Sequence, residues 1–421
     1  MANLHHTFLE FNNSIRLNPR QKDTLRTSRN AIREKIRSHF KNLSLGLNPR
    51  FHGQGSFMMN TIIEPESKEF DIDDGIYFIS DMEPAYSIQT FHNWILNALG
   101  DHTSSGLTDK NTCVRVIYKA SYHVDLPIYY IQSNSTPKLA HKSKGWIESD
   151  PREFISWFSD QCDSSGQLRR IVRYLKVWSD FRKGTLPSGL IMTILAAKNY
   201  TSDARDDIAL YRTLQAIQVS LQESFSCFRP TTPNDEDLLA SYSKTNKDYL
   251  LSTLNSFVAA AAYATNDTTT YKNACMRWQT YFGQDRFPFE DEEQVEEKFR
   301  VDLKYTLEID SKVIQKGFRT KFLSAILRDN DWLLPERKLE FFIKTHPPIS
   351  SYEVYWKVRN VGHEAIKRKQ VRGQILKDDG SGTRVEHTRF RGEHYVECYI
   401  IENNICVARD DLLVPIKNTP L

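Results

Sequence analysis

The stretch that most constrains the fold is Phe70-Asp-Ile-Asp-Asp-Gly-Ile-Tyr-Phe78, in which aspartates interrupt an apolar run. Alternate side chains of a β-strand point to the same face, so Asp71 and Asp73 would share one face of such a strand. Asp74 would point to the opposite face, and we do not predict it as a ligand. Two carboxylates on one face offer the hard oxygen donors that Mg²⁺ prefers in proteins. The stretch therefore indicates a strand that carries part of a metal site.

A third carboxylate is predicted beside this pair. Asp125 lies between apolar residues in Tyr122-His-Val-Asp-Leu-Pro-Ile-Tyr129, which is a second predicted strand. With Asp71 and Asp73 it would hold two Mg²⁺ ions, for which Mn²⁺ could substitute, and it would favour deprotonation of an attacking hydroxyl. An isolated Asp-x-Asp is more often a solvated turn, but this combination of carboxylates favours nucleotidyl transfer.

The turn Gly53-Gln-Gly-Ser56 precedes the acidic strand. Glycine lets the main chain approach a ligand closely, so Gly55 and Ser56 can offer backbone N–H groups and a hydroxyl to the β- and γ-phosphates of a nucleotide. A Gly-Ser pair alone is weak evidence, because such pairs fill ordinary turns. Its position before the acidic strand makes it a candidate phosphate site.

Length and composition limit the remaining classes. A chain of 421 residues exceeds what one core normally serves, and a net charge of +3 is too small to indicate bulk nucleic-acid binding. The chain has no apolar run of the roughly 18 residues that a membrane span needs, and no signal peptide is recognisable. Its six cysteines include no CxxC pair, which indicates neither zinc nor disulfides. We expect a cytoplasmic protein with reduced thiols and no membrane partner.

Periodicity predicts three domains. Residues 1–150 combine a long amphipathic helix at 21–42 with strands, which is typical of an α/β catalytic part. Residues 151–298 show mainly helical spacing of apolar side chains. Residues 299–421 change to a period of two and predict a β-domain, most simply a sandwich.

One helix of the middle domain has two distinct faces. Apolar residues recur at helical spacing over Leu168–Trp178, while Arg169, Arg173 and Lys176 lie on another face. That basic face is equally consistent with a solvated surface and with phosphate binding. Ser188 precedes another predicted helix and fits a helix cap as well as a phosphate ligand.

These segments resemble the cGAS/DncV-like nucleotidyltransferases, also called CD-NTases or SMODS, of bacterial anti-phage systems. The matching segments are Gln54-Gly-Ser56, Asp71-Ile-Asp-Asp-Gly75, Val124-Asp-Leu-Pro127, Leu168–Trp178 and Leu186-Pro-Ser-Gly189. The resemblance covers about residues 5–285 and implies an α+β fold, with a polymerase-β-like nucleotidyltransferase core and a helical lobe. It also implies that ATP or GTP binds in the cleft between them.

The resemblance further assigns roles to single residues. It implies an acidic metal-binding triad and a set of triphosphate ligands, which are respectively Asp71, Asp73 and Asp125, and Gln54, Gly55, Ser56, Lys176 and Ser188. The zinc-binding insertion of the animal enzyme has no counterpart in this chain. Activation by DNA is therefore not expected.

Residues 299–421 resemble the AGS-C module, a C-terminal sensor domain attached to SMODS enzymes. The matching segments are Gln315-Lys-Gly-Phe-Arg319, Lys338-Leu-Glu-Phe-Phe-Ile343, Tyr352-Glu-Val-Tyr-Trp-Lys-Val-Arg-Asn360 and Arg372-Gly-Gln-Ile375. The resemblance implies a small ligand, for which Trp356, Arg359, Asn360 and Arg372 are candidates through stacking and phosphate contacts. Trp356 also fits a core position, because it lies on the apolar face of its strand.

The favoured function is a synthase that joins ATP and/or GTP into a cyclic di- or trinucleotide messenger, which would activate a separately encoded effector during phage infection. Two alternatives stay open. One is linear nucleotidyl transfer to an RNA end or a protein side chain, which the basic stretches at 19–37 and 367–372 permit. The other is a catalytically silent nucleotide-binding regulator, which the intact triad disfavours. No sequence pattern indicates base choice, linkage, ring size, activating signal or oligomeric state.

Overall fold

The computed structural model describes residues 2–67, 69–118, 122–132, 135–182, 186–284, 286–288, 292–315, 317–330, 332–361, 364–365, 368 and 370–417. Two compact units are present. The larger unit contains residues 15–262 and 280–283, and the C-terminal unit contains residues 1–14, 263–279 and 284–421. The predicted division into three domains stays a prediction. Lys316, Lys367 and Lys369, which belong to predicted segments, lie outside the described residues.

The bounds of the helices are as follows: α1 (His5–Ile15), α2 (Pro19–Leu43), α3 (Gly55–Met58), α4 (Ile88–Leu99), α5 (Pro151–Gln161), α6 (Gln167–Phe181), α7 (Gly189–Asn199), α8 (Asp206–Glu223), α9 (Lys244–Ala264), α10 (Tyr271–Phe282), α11 (Val295–Lys298) and α12 (Leu323–Asn330). The bounds of the strands are β1 (Arg50–Gln54), β2 (Phe70–Ile79), β3 (Leu107–Asp109), β4 (Cys113–Tyr118), β5 (Tyr122–Ile131), β6 (Lys138–His141), β7 (Gly145–Glu148), β8 (Arg300–Val301), β9 (Glu308–Ile314), β10 (Lys321–Phe322), β11 (Lys338–Thr345), β12 (Glu353–Arg359), β13 (Arg372–Lys377), β14 (Thr383–His387), β15 (Gly392–Glu402) and β16 (Ile405–Ile416).

The larger unit contains one mixed sheet in the order β1-β2-β5-β4-β3, and β6 and β7 extend it beside β5. β2 and β5 run parallel, while β1 and β4 pair with them antiparallel. Helices α2 and α4 cover one face of this sheet and share its core. The strands that were predicted to carry the aspartates are therefore adjacent and central.

The capping and the buried face of helix α2 explain why the sequence predicted this helix correctly. Asn18 caps its N-terminus in a reciprocal capping box with Gln21, and Pro19 occupies the first turn, where a missing N–H costs nothing. Its buried residues are the ones that the helical spacing predicted, namely Leu25, Ile32, Ile36 and Phe40.

The helical part of the larger unit also follows its pattern. In α6 the apolar residues of the predicted face are buried, and these are Leu168, Ile171, Val172, Leu175 and Trp178. Helix α7 begins directly after Ser188, as predicted, although the Ser188 side chain makes no capping hydrogen bond.

The C-terminal unit contains two sheets, in the orders β10-β9-β11-β14 and β13-β12-β15-β16-β8. Side chains from both sheets form one hydrophobic core, which gives the predicted sandwich. The sequence pattern predicts a strand over Val313–Phe318, but the observed strand is β9 (Glu308–Ile314), which ends at Ile314. The sequence also predicts a hairpin whose turn is Glu402-Asn403. The observed turn lies one residue later, at Asn403 and Asn404, which both adopt positive φ (50° and 64°), as a two-residue type I′ turn requires.

Helix α1 contributes its N-terminal part to the C-terminal unit. Phe8 is fully buried and packs edge-on against Trp278 and Phe287, at centroid distances of 5.1 and 5.2 Å. Glu10 approaches Arg359 of β12 at 3.6 Å. Residues from both ends of the chain therefore build this unit.

Two simpler expectations can be compared directly with the structure. None of the helices within the described residues is long and apolar enough to cross a membrane. All six cysteines are free thiols, and all except the half-buried Cys162 are buried.

Candidate active site

The three predicted carboxylates converge on the parallel pair of strands. The register of β2 and β5 places Asp73 directly opposite Asp125, and Asp71 lies opposite His123, two residues earlier. Asp71 and Asp73 both line a cavity of about 540 Å³ in the larger unit, whereas Asp125 lies outside the described lining of that cavity. The predicted alternation on β2 thus brings two of the three carboxylates to the cavity wall.

Arg115 binds two of these carboxylates. Its Nε and Nη2 atoms donate to the two oxygens of Asp125 at 2.6 and 2.8 Å, and Nη2 lies 3.2 Å from Oδ1 of Asp71. His123 Nδ1 lies 3.1 Å from the same Asp71 oxygen. Bidentate contacts of this kind are strong, because both partners are charged. A guanidinium therefore provides positive charge at the position where like charges meet.

The negative charge of Asp73 is only partly compensated by nearby positive charge. Burial and the charges of Asp125 and Asp71 raise the pKa of Asp73 to about 6, against which Arg115 and Lys176 act only in part. A carboxyl with a raised pKa at the wall of a cavity is typical of a functional site rather than of a structural ion pair.

The neighbouring Asp74 has the opposite environment. Its side chain is fully buried on the other face of β2, where Nε and Nη2 of Arg33 in α2 donate to its oxygens at 2.7 and 2.5 Å. This is the structural ion pair of the strand. The side chain therefore points to the opposite face of β2 from Asp73, as the strand alternation predicted.

The glycine turn approaches the acidic strand closely. Gly55 has a positive φ of 64°, and a Cβ at this position would clash with Oδ2 of Asp73. Ser56 is half-buried in the short helix α3 and lines the same cavity. The turn requires glycine for both its conformation and its proximity to Asp73.

Gln54 lines the cavity, but its side-chain amide has partners elsewhere. Nε2 donates to the Tyr77 hydroxyl at 2.7 Å, and Oε1 accepts from the Tyr129 hydroxyl at 3.3 Å. These two rings stack on each other at 4.6 Å. The structure thus places the Gln54 side chain in a buried polar cluster that supports the turn.

The basic face of α6 is directed at the chain that follows this turn. Arg169 donates to the carbonyl of Met59 at 3.3 Å, and Arg173 donates to the carbonyl of Asn60 at 2.5 Å. The Lys176 ammonium donates to the hydroxyl and the carbonyl of Thr61, at 3.1 and 3.3 Å. The alternative of a solvated face is therefore wrong, because successive cations hold successive residues of one loop (Met59, Asn60 and Thr61).

Lys176 also lines the cavity. Burial and the charge of Arg173 lower its pKa to about 8, while Asp73 acts in the opposite direction. Gly189, at the start of α7, lies against the Lys176 side chain, and Ser188 just before it is exposed and outside the described lining. Of the predicted phosphate ligands, the structure brings Gln54, Gly55, Ser56 and Lys176 to the cavity and leaves Ser188 at its edge.

The donor set fits a divalent cation by its chemistry. Three carboxylates lie on neighbouring strands beside a glycine that leaves room for close approach. Within the described part of the chain, however, no three His, Cys, Asp or Glu side chains are already arranged around a common point as metal ligands. Both oxygens of Asp125 are instead hydrogen-bonded to the Arg115 guanidinium.

Arg115 and His123 were not predicted as site residues. The alternation of side chains along each strand is compatible with both residues facing the site. Arg115 lies between two valines, and His123 lies two residues before Asp125. Alternation along one strand does not identify the partners of these residues. Their identification would have required the antiparallel register of β4 and β5, which sets Arg115 opposite Asp125.

Comparison with known families agrees with this geometry. Residues 49–129 match the family model for the Cyclic GMP-AMP synthase DncV-like nucleotidyltransferase domain. Residues 289–417 match the Adenylyl/Guanylyl and SMODS C-terminal sensor domain, AGS-C. The first match contains all three carboxylates, and the fold and the site together define a nucleotidyltransferase.

Similar proteins give the same result over more of the chain. A cyclic GMP-AMP synthase of Escherichia albertii is 24% identical over 425 residues, which span 92% of this chain and 89% of the relative. A cyclic GMP-AMP synthase of Vibrio cholerae is 26% identical over 236 residues, 43% of this chain and 54% of that protein. The crystal structure of V. cholerae DncV in complex with nonhydrolyzable GTP has a TM-score of 0.59 at 20% identity, and covers 69% of this chain and 98% of DncV. Together, the two family models, the relatives and the solved structures support a cGAS/DncV-like nucleotidyltransferase with a C-terminal AGS-C domain.

Asp73→Asn and Asp74→Asn should change stability in opposite directions when metal is removed with EDTA at pH 8. The folded-state pKa of Asp73 lies above its ordinary value of 3.8, so its ionisation costs stability as the pH rises towards 6, and the whole cost is present at pH 8. At about 1.4 kcal/mol per pKa unit, Asp73→Asn should stabilise the protein by up to roughly 3 kcal/mol. Asp74→Asn leaves Arg33 without its counter-charge and should destabilise by roughly 3 kcal/mol. Urea unfolding measures both, and changes of the same sign would contradict this electrostatic assignment.

Gly55→Ala should lower nucleotidyl transfer by at least about 100-fold, because a displaced Asp73 carboxylate misplaces the reacting groups. Gly46→Ala is the matched control, since Gly46 has a similar φ of 69° and open space around its Cβ position. Both variants carry the same backbone strain, and only one reaches the site. Pyrophosphate release from ATP and GTP with Mg²⁺ measures the difference, with circular dichroism as a check of folding. Equal rates in the two variants would show that Gly55 is needed only for its conformation.

Proposed function

We propose that this enzyme joins ATP and/or GTP into a cyclic di- or trinucleotide, a cytoplasmic second messenger for anti-phage defence. The observation that carries the proposal is the register of β2 and β5, which sets Asp125 beside Asp73. Asp73 lines a cavity whose wall also contains the glycine turn and Lys176. The relatives support it, because they are cyclic GMP-AMP synthases. The product would act on a separately encoded effector.

The donor triphosphate would lie along Gly55, Ser56 and Lys176. Gly55 exposes the backbone at the turn, and Ser56 adds a hydroxyl. Lys176, with a pKa of about 8, is mostly protonated at neutral pH and would pair with phosphate oxygens. Gln54 would support the turn through its tyrosine partners, and Ser188 would contact the phosphates from the start of α7.

The carboxylates of Asp71, Asp73 and Asp125 would hold the divalent cations, expected to be two Mg²⁺ ions. Bound cations supply positive charge that neutralises the α-phosphate and the departing pyrophosphate. In this structure the positive charge beside Asp125 and Asp71 is the guanidinium of Arg115. Its guanidinium would give up oxygens of Asp125 when that carboxylate takes part in the reaction.

Each transfer exchanges one phosphorus–oxygen bond for another. A ribose hydroxyl of the acceptor nucleotide, oriented by Asp125, would attack the α-phosphorus of the donor. The bond from that phosphorus to the pyrophosphate oxygen breaks, and the hydroxyl proton passes to solvent by way of the carboxylate. For a cyclic dinucleotide, a second transfer within the linear intermediate would close the ring and release a second pyrophosphate. A cyclic trinucleotide would need three transfers and release three.

Incubation of the full chain with α-³²P-labelled ATP and GTP and Mg²⁺ should yield small products that resist phosphatase, since a closed ring has no terminal phosphate. In the double variant Asp71→Ala/Asp73→Ala their yield should fall by at least ~100-fold, because groups that stabilise the transition state are lost. Asp101→Ala is the matched control: it removes a carboxylate that is 90% exposed and pairs with Lys35, and it should leave the yield unchanged.

The location of the label separates the alternatives. Label that enters added RNA or the protein itself, with no resistant small product, would favour linear nucleotidyl transfer. Nucleotide binding by calorimetry without turnover in either Mg²⁺ or Mn²⁺ would favour a silent regulator. Resistant products that persist undiminished in the double variant would contradict the assignment of the site. Mass spectrometry of the product gives base composition and ring size.

A further inference from the structure

The C-terminal unit contains a cavity of about 340 Å³ within the sandwich. Its apolar walls come from both sheets, through Leu339 and Phe341 of β11, Val358 of β12, and Val414 and Ile416 of β16. Each of these side chains is at most 7% exposed and belongs to the core of the sandwich. Cores rarely keep voids larger than a water molecule, because the surrounding atoms lose dispersion contacts. The volume lies at the small end of the range for small-molecule sites.

The polar residues on the wall of this cavity carry a surplus of positive charge. The charged side chains of its described lining are the guanidinium groups of Arg372 and Arg389 and the carboxylate of Glu386, besides two histidines. Arg372 and Glu386 form a bidentate pair across the two sheets, at 2.6 and 3.0 Å. Arg389 is exposed and donates no hydrogen bond to any residue that the structure describes. The described lining thus holds one carboxylate and two guanidinium groups, and Glu386 also accepts a hydrogen bond from Arg384, outside the lining, at 2.9 Å.

The buried histidine of this wall adds no charge. His394 Nδ1 accepts from the backbone N–H of Val361 at 3.0 Å, and Nε2 donates to the carbonyl of Phe390 at 3.1 Å. Burial lowers the pKa of His394, which agrees with a neutral ring whose two nitrogens are both engaged. The surplus charge therefore resides on the arginines.

We propose that this cavity binds a small anionic amphipathic molecule, whose apolar body lies between the two sheets and whose acidic group contacts Arg389 and Arg372. The apolar walls exclude a ligand that is polar throughout, because its buried donors and acceptors would find no partners. The two guanidinium groups select a carboxylate, sulfonate or phosphate at one end. Of the residues that the sequence suggested for a ligand, Asn360 and Arg372 line this cavity. Trp356 is instead in the core and donates to Asp378, and Arg359 faces Glu10 and Glu292.

One wall residue links the cavity to helix α1. The Tyr395 hydroxyl donates to the buried Glu292 at 2.9 Å, and its ring stacks on His6 at 4.6 Å. Glu292 also pairs with Lys357 and lies 3.6 Å from Arg359. A ligand against Tyr395 would therefore touch the residue that joins the sandwich to the N-terminal helix.

The test uses two fluorescent probes on the full chain. One is 1-anilinonaphthalene-8-sulfonate, which has an apolar body and one acidic group, and the other is the neutral N-phenyl-1-naphthylamine. Arg389→Gln, at the exposed edge of the cavity, should weaken binding of the sulfonate by about tenfold, the usual value of a hydrogen bond to a charged group, and leave the neutral probe unchanged. Val358→Phe should fill the cavity and weaken both probes.

Arg328→Gln is the control, because Arg328 is an exposed arginine of the same unit outside the cavity. It should bind both probes as the unsubstituted chain does. Sulfonate binding that is the same in Arg389→Gln as in Arg328→Gln would overturn the proposal, whether or not Val358→Phe folds. A folded Val358→Phe variant that binds both probes as tightly as the unsubstituted chain would overturn it as well.

Discussion

The repulsion among three carboxylates is the constraint on which the rest of the active site depends. The parallel pairing of β2 and β5 sets Asp73 beside Asp125, with Asp71 on the same face. Such a cluster is unfavourable in a folded protein unless positive charge compensates it. Arg115 gives that compensation to Asp125 and Asp71, and Asp73 keeps a pKa of about 6. The free energy that the fold spends here is consistent with a site built for cations and phosphates.

The remaining parts of the site support this cluster mechanically. On the opposite face of β2, Asp74 is paired with Arg33 and fixes the strand to α2. From the other side, α6 holds the loop after the glycine turn through the carbonyls of Met59, Asn60 and Thr61. Because Lys176 belongs to this face and also reaches the cavity, the helix that would bind phosphate also holds the loop that would receive it.

The sequence predicted the features that depend on local periodicity. The buried face of α2, both faces of α6 and the parity of Asp71, Asp73 and Asp74 all follow from spacing along one element. Features that depend on pairing between distant segments were missed. The role of Arg115 depends on the register of β4 against β5. The role of Glu10 depends on its contact with Arg359, almost 350 positions later. Trp356 shows that residue type alone does not identify a ligand-binding residue. Its ring is in the core and its indole nitrogen donates to Asp378.

The most direct test is the position of Mn²⁺ by anomalous diffraction from crystals of the full chain with a nonhydrolysable ATP analogue. The account predicts Mn²⁺ at the carboxylates of Asp71 and Asp73, with Asp125 as a further ligand and the Arg115 guanidinium withdrawn from at least one Asp125 oxygen. Mn²⁺ bound away from all three carboxylates, while Arg115 still holds both oxygens of Asp125, would contradict it.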